Sequence, residues 1–127
     1  MVVNAESSGA VYAQKNDTRI TKFGKFLRKT RLDEVPQFFN ILKGDMSIIG
    51  PRPERPKFVK DLEEKVPFYA IRHVVKPGLT GWAQVKFPYA GTLEEQEKKL
   101  RYDLFYIKEQ CILLDFKIII RTITTVL

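Results

Sequence analysis

Residues 31–53 read RLDEVPQFFNILKGDMSIIGPRP. An adjacent acid pair, Asp33 and Glu34, stands shortly before a loop bounded by Gly44 and Gly50, and the loop ends in Arg52 between Pro51 and Pro53. Thr30-x-x-Asp33 has the form of a capping box, and Pro36 is compatible only with a first helical turn, so a helix is expected to begin near Leu32 or Asp33 and to stop at Gly44. Val35, Phe38, Phe39, Ile41 and Leu42 would form its apolar face. The acid pair would then lie where unpaired backbone N–H groups favour negative charge. Two readings stand for the pair: capping acids at a helix start, or acids that handle a phosphate. Arg52 is also open to two readings. Prolines on either side fix the backbone and hold its planar guanidinium in one place, which suits bidentate binding of phosphate or carboxylate, or a salt bridge that staples the loop.

Upstream, residues 1–17 are polar and small, with turn signals at Ser7 to Gly9 and at Asn16-Asp17, and are expected as loop. Between Thr18 and Thr30, Ile20, Phe23, Phe26 and Leu27 recur at three- and four-residue spacing among Arg19, Lys22, Lys25, Arg28 and Lys29. This predicts a basic amphipathic helix, facing either solvent or an anionic surface.

Downstream, Glu54 to Val66 reads as an amphipathic helix through Phe58, Val59 and Leu62, ended by Pro67. The β-branched run Ile71 to Val75 predicts an extended segment, followed by a turn at Lys76 to Gly78 and a short strand around Trp82 to Phe87. His73 has no partner at metal-ligand spacing and reads as a structural histidine rather than a general base. TLEE at Thr92 is a capping box that opens a helix with Leu93, Leu100, Leu104 and Ile107 on one side. Asp103, among Tyr102, Phe105 and Tyr106, is either tyrosine-bonded scaffold or support for a cationic site. The stretch from Ile112 to Leu127 is a core helix, an interfacial helix or a face for a missing partner, being too short to span a membrane.

The 127 residues fit one domain, and 44% hydrophobic residues with nine phenylalanines are more than a disordered chain would hold. A formal charge of +7 favours an anionic partner: nucleic acid, an anionic membrane or a phosphorylated small molecule. The single cysteine, Cys111, excludes an internal disulfide and a thiolate zinc cluster, and its apolar neighbours suggest a small buried hydrophobe. GxGxxG, Walker, HExxH and GxSxG patterns are absent, which removes the usual nucleotide-fold, zinc-protease and hydrolase readings.

Three blocks, RLDEVPQFFNILKGDMSIIGPRPERP, KPGLTGWAQV and KLRYDLFYIK followed by LLDFKIII, together resemble the bacterial sugar transferases, the monotopic polyprenyl-phosphate phosphoglycosyl transferases. The resemblance runs from about Asp17 to Leu127, and the PYAGTLEE segment looks most like the long exopolysaccharide-initiating members. It implies transfer of a sugar 1-phosphate from a nucleotide-diphosphate sugar to polyprenyl (undecaprenyl) phosphate at the cytoplasmic face of the bacterial inner membrane. Asp33 and Glu34 occupy the family's catalytic dyad and would hold Mg²⁺, with Asp33 the nucleophile on phosphorus. Arg31, Arg52 and Asp103 fall at positions expected to serve substrate phosphate binding. The resemblance further implies a hydrophobic membrane-entering helix ahead of this region, so residues 1–127 are expected to be a catalytic-domain fragment without its amino-terminal anchor.

The expected fold is therefore α+β, a mainly helical single domain with one or two short strands that associates with a membrane. A noncatalytic module for anionic membranes is the first rival, and a nucleic-acid binder the second. Neither accounts for the acid pair, and no nucleic-acid partner is expected.

Overall fold

The computed structural model describes residues 1–7, 9, 11, 17–88 and 90–126. Asn16 and Ser8 of the two amino-terminal turn signals, Tyr89 and Leu127 lie outside the described residues. Among the described residues the fold is α+β and mainly helical, with one two-stranded parallel sheet. The chain divides into two compact units, residues 1–39 and 40–127.

In the first unit, the amino-terminal stretch is tied down by Asp17 and Arg19. Arg19 donates from Nε and Nη2 to the two carboxylate oxygens of Asp17 at 2.8 and 2.6 Å, and from Nη1 to the Ala5 carbonyl at 3.3 Å. These bonds hold the Asp17 carboxyl down at about 2. Helix α1 (Lys22–Lys29) is shorter than its apolar periodicity suggested because Thr21 caps it, the hydroxyl accepting from the Gly24 N–H at 3.0 Å. Thr30 closes α1 and does not open the next helix as expected. Its hydroxyl donates back to the Phe26 and Leu27 carbonyls, so it cannot cap forward. Arg31 instead adopts the left-handed conformation (φ 58°) and breaks the chain direction between α1 and a 3₁₀ turn at Leu32–Glu34. Helix α2 (Val35–Lys43) begins directly afterwards, with Pro36 in its first turn, and continues past residue 39 into the second unit; Val35, Phe38, Phe39 and Leu42 are exposed.

In the second unit, Gly44 (φ 86°) ends α2 as its sequence predicts. Strand β1 (Ser47–Ile49) pairs in parallel with β2 (Gly78–Thr80), Ser47 opposite Gly78 and Ile49 opposite Thr80. Between them lie α3 (Pro56–Lys65), with Pro56 in the first turn, and a 3₁₀ helix at Tyr69–Val74. The expected extended run at Ile71 to Val75 is thus corrected. Phe68 enters it in the left-handed conformation, and helical spacing lets buried Tyr69 and Arg72 face the same way, where Arg72 Nη1 donates to the Tyr69 hydroxyl at 2.5 Å. The strand expected around Trp82 to Phe87 is also corrected: the strand is β2, four residues earlier, and Trp82–Lys86 is helix α4. Glycine chemistry explains the shift. The Gly78 and Gly81 backbones lie so close to Gly50 that a Cβ on either would collide with Gly50 backbone atoms.

Helix α5 (Leu93–Glu109) opens on the predicted capping box, Thr92 Oγ1 accepting from the Glu95 N–H and Glu95 Oε2 accepting from the Thr92 N–H. Helix α6 (Ile112–Val126) follows. Two apolar clusters form the core of this unit. One is Leu62, Val66, Tyr69 and Leu100, flanked by Phe58, Val59 and Leu104; the other is Trp82, Tyr106 and Ile118, flanked by Ile49, Val85, Tyr102 and Leu114. Cys111, expected to be buried, is exposed, because it falls in the break between α5 and α6 rather than on a packed face. None of the described helices is long and apolar enough to cross a membrane.

Candidate active site

The acid pair belongs to the first unit and is set by its local backbone. Arg31, held left-handed, turns the chain so that Leu32–Glu34 forms a single 3₁₀ turn, with the Glu34 N–H on the Arg31 carbonyl at 3.1 Å. The same turn lets Arg31 Nη1 reach Glu34 Oε1 at 3.2 Å. Glu34 is half-buried, whereas Asp33 is exposed and has no ion-pair partner among the described residues. Arg31 therefore engages the second acid of the pair and leaves the first open, an arrangement in which one carboxylate is oriented and the other can meet a reagent.

Among the described residues no group of three or more His, Cys, Asp or Glu side chains could hold a metal ion. Two adjacent carboxylates in one turn fit Mg²⁺, which commonly takes one or two protein carboxylates and completes its shell with substrate phosphates and water. They would not fit an ion that needs an all-protein cage.

The second unit carries Arg52 and Asp103, and the arginine is fixed through its own backbone. The Pro51 carbonyl accepts from the Gly78 N–H at 2.9 Å, and the Arg52 carbonyl accepts from Arg72 Nη2 at 2.6 Å. Arg72 Nη2 also lies 3.1 Å from Asp103 Oδ2, in a pair whose side chains are only 2% and 3% exposed. The Asp103 carboxylate is thus engaged inside the fold and reaches Arg52 through Arg72. Burial pushes the Asp103 carboxyl up to about 6, and the Arg72 charge offsets only part of that rise. Among the described residues no tyrosine hydroxyl bonds Asp103, and that of Tyr106 donates to Asp115 Oδ1 at 2.8 Å.

Arg52 lines a pocket of about 190 Å³ with Pro51, Pro53, Glu54, Arg72 and His73 among its walls. Glu54 is committed to Lys99, whose Nζ sits 2.6 Å from Oε1. Arg72 Nε is buried without a hydrogen-bond partner. No described carboxylate pairs with the Arg52 guanidinium, Asp103 and Glu54 being engaged by Arg72 and Lys99. His73 is half exposed, edge-on to the Tyr69 ring, with Nδ1 3.6 Å from Glu63 Oε1.

Arg72 is the residue that sequence reasoning missed. A usable signal existed: it is the lone cation inside the run FYAIRHVV, three residues after Tyr69, and a charge in an apolar helical run is normally buried with a partner.

Comparison with known proteins agrees with the three sequence blocks. The family described as bacterial sugar transferase matches residues 1–127. The UDP-N-acetylgalactosamine-undecaprenyl-phosphate N-acetylgalactosaminephosphotransferase of Aeromonas hydrophila is 50% identical over 127 residues, which are 100% of this chain and 30% of that protein. The UDP-glucose:undecaprenyl-phosphate glucose-1-phosphate transferase of Klebsiella pneumoniae is 48% identical over 126 residues, 97% of this chain and 27% of that protein. Its namesake from Escherichia coli K12 is 47% identical over 114 residues, 87% of this chain and 24% of that protein. The chain spans less than a third of the length of each of these relatives. With the family matched along its whole length and half of its residues shared with such relatives, this chain belongs to the bacterial sugar transferase family.

Proposed function

We propose that the protein transfers a sugar 1-phosphate from a uridine-diphosphate sugar to undecaprenyl phosphate, at the cytoplasmic face of the inner membrane, and so starts a glycan such as an exopolysaccharide. The reading is supported by the transferase names of its relatives, and the observation that carries it is the open Asp33 carboxylate beside a Glu34 oriented by Arg31. Asp33 attacks the phosphorus nearest the sugar, the bond to the nucleotide's other phosphate breaks, and uridine monophosphate leaves. The sugar-phosphate is then carried as an acyl-phosphate on Asp33 until the lipid phosphate displaces it and regenerates the carboxylate. Asp33 and Glu34 would hold Mg²⁺, which would supply neutralisation of the phosphate charge that otherwise repels a carboxylate.

In the second unit, Arg52 is proposed to bind a substrate phosphate, supported by a guanidinium without a carboxylate partner on a pinned backbone. Asp103 is proposed as a positioning residue that acts through Arg72.

The deciding experiment supplies the protein with Mg²⁺ and a uridine-diphosphate sugar but no lipid acceptor. One equivalent of uridine monophosphate per site should be released, and a hydroxylamine-labile sugar-phosphate should be found on Asp33 by mass. Asp33→Asn should abolish both. Release that occurs only when both substrates are present, with no adduct after rapid quenching, would mean direct transfer and return Asp33 to a ligand or base.

A further inference from the structure

Helices α4 and α6 bring three cations to one indole. Lys86 Nζ lies 4.8 Å from the centroid of the Trp82 ring, Lys117 Nζ 5.8 Å and Arg121 Cζ 5.9 Å. Trp82 and Lys86 are one turn apart on α4, and Lys117 and Arg121 one turn apart on α6, so each pair shares a helix face. Cation–π attraction explains why each cation approaches the ring, yet three like charges around one ring also repel one another. No ion pair joins Lys86, Lys117 or Arg121 to a described carboxylate. Asp115, the acid of α6, is occupied by the Tyr106 hydroxyl. A cluster of this kind is electrostatically incomplete without an anion.

Its neighbours indicate which anion. Ile112, Leu113, Phe116, Ile119, Ile120 and Ile123 of α6 are exposed, while Ile118 on the opposite side is fully buried. At about 100° per residue, Lys117 and Arg121 fall on the flank between those two faces, beside Leu113 and Ile120. An apolar ridge edged by lysine and arginine, with a buried tryptophan beneath the cations, matches the layering of a bilayer surface, with acyl chains under the ridge and phosphates level with the cations.

We propose that Lys86, Lys117 and Arg121, gathered on Trp82, form a site for the phosphate of an anionic phospholipid headgroup. This rests on the membrane reading above but not on the chemistry of Asp33. The site orients α6 by gripping a headgroup while the apolar ridge enters the acyl layer.

Trp82 is the sole tryptophan, so its fluorescence reports the site directly. The protein is titrated with phosphatidylcholine vesicles, with vesicles holding roughly 30% phosphatidylglycerol with brominated acyl chains, with phosphatidylcholine vesicles holding roughly 1% undecaprenyl phosphate, and with inorganic phosphate. Quenching should occur with the phosphatidylglycerol vesicles. The triple variant Lys86→Gln, Lys117→Gln, Arg121→Gln should weaken partitioning at least tenfold. Lys57→Gln, Lys60→Gln, Lys65→Gln, which removes the same charge from α3, should weaken it less than threefold. Equal losses in both triples would show a diffuse charge effect and overturn the site. So would a phosphate titration that shifts the spectrum as the vesicles do, or a loss in the first triple variant as large on the undecaprenyl phosphate vesicles as on the phosphatidylglycerol vesicles. Asp33→Asn should bind vesicles like the unaltered protein. If Asp33 forms no adduct but the cluster still discriminates, the mechanism fails and the lipid site stands; the converse result fails the lipid site alone.

Discussion

Arg72 and Asp103 meet at 3.1 Å with their side chains almost wholly inside the fold, and through that pair the carbonyl of Arg52 is held at 2.6 Å. A guanidinium at the centre of a tyrosine hydroxyl, a carboxylate and a backbone carbonyl fixes three segments at once. Arg72→Met should therefore cost about 3–5 kcal/mol at neutral pH, measured by urea denaturation, because it leaves a buried carboxylate without its counter-charge. The double variant Arg72→Met, Asp103→Leu should recover much of that loss. In the single variant the Asp103 carboxyl should titrate above about 6 by carbon-detected NMR, since the nearby positive charge that lowers it has gone.

The left-handed Arg31 makes a contrasting case. Arg31→Gly should leave stability within about 1 kcal/mol of the starting protein, the relief of backbone strain being offset by the larger entropy of the unfolded glycine. The release of uridine monophosphate should nevertheless fall at least about tenfold, as Glu34 loses the guanidinium that orients it, corresponding to about 1.4 kcal/mol in the barrier. Unchanged release rates with Arg31→Gly would show that Glu34 needs no such support.

Arg52→Lys keeps the charge but not the planar fork. Binding of the uridine-diphosphate sugar, followed by calorimetry, should weaken by about 1.5–3 kcal/mol if the guanidinium bonds a phosphate directly. Unchanged affinity in a folded variant would make Arg52 part of the scaffold.

Acid should loosen the first unit through Asp17. Its folded carboxyl is lowered to about 2 by Arg19, below the unfolded value of 3.8, so its contribution is complete above about pH 4 and is lost as pH falls through 2. Amide exchange at Ala5 and Arg19 should quicken over that interval. Asp17→Asn should show the fast exchange already at neutral pH.

At the glycine contact, Gly78→Ala should lower the urea midpoint by the equivalent of about 1–3 kcal/mol or more, because the added methyl meets backbone and not a side chain that can turn away. Gly91→Ala is the control. Its added Cβ would meet only the end of the Glu95 side chain, at 3.8 Å, and should be neutral or slightly stabilising.

Elements with their own punctuation were legible from sequence. The Thr92 capping box, the Gly44 stop and Pro67 just past the end of α3 each act within one turn, so local chemistry decides them. The errors came where distant partners decide. Ile71 to Val75 has the composition of a strand, but burial of Arg72 on Tyr69 and Asp103 selects a 3₁₀ helix. Gly78 to Lys86 is divided between strand and helix by the approach of Gly50, twenty-eight residues earlier than Gly78. The acid pair and Arg52 were visible because their residue types are unusual in their settings. Arg72 carried only the weaker signal of a lone arginine in an apolar run, because its burial and its partner Asp103 are properties of the fold.

The meeting of Gly50 with Gly78 and Gly81 has a practical consequence for exchanging parts between relatives. The loop that carries Arg52 and the Gly78–Trp82 segment share one backbone interface, so they behave as a single cassette although α3 separates them along the chain. A chimera that imports either stretch alone inherits a mismatched seam, whereas one that imports both should fold and bring the donor's arginine geometry with it.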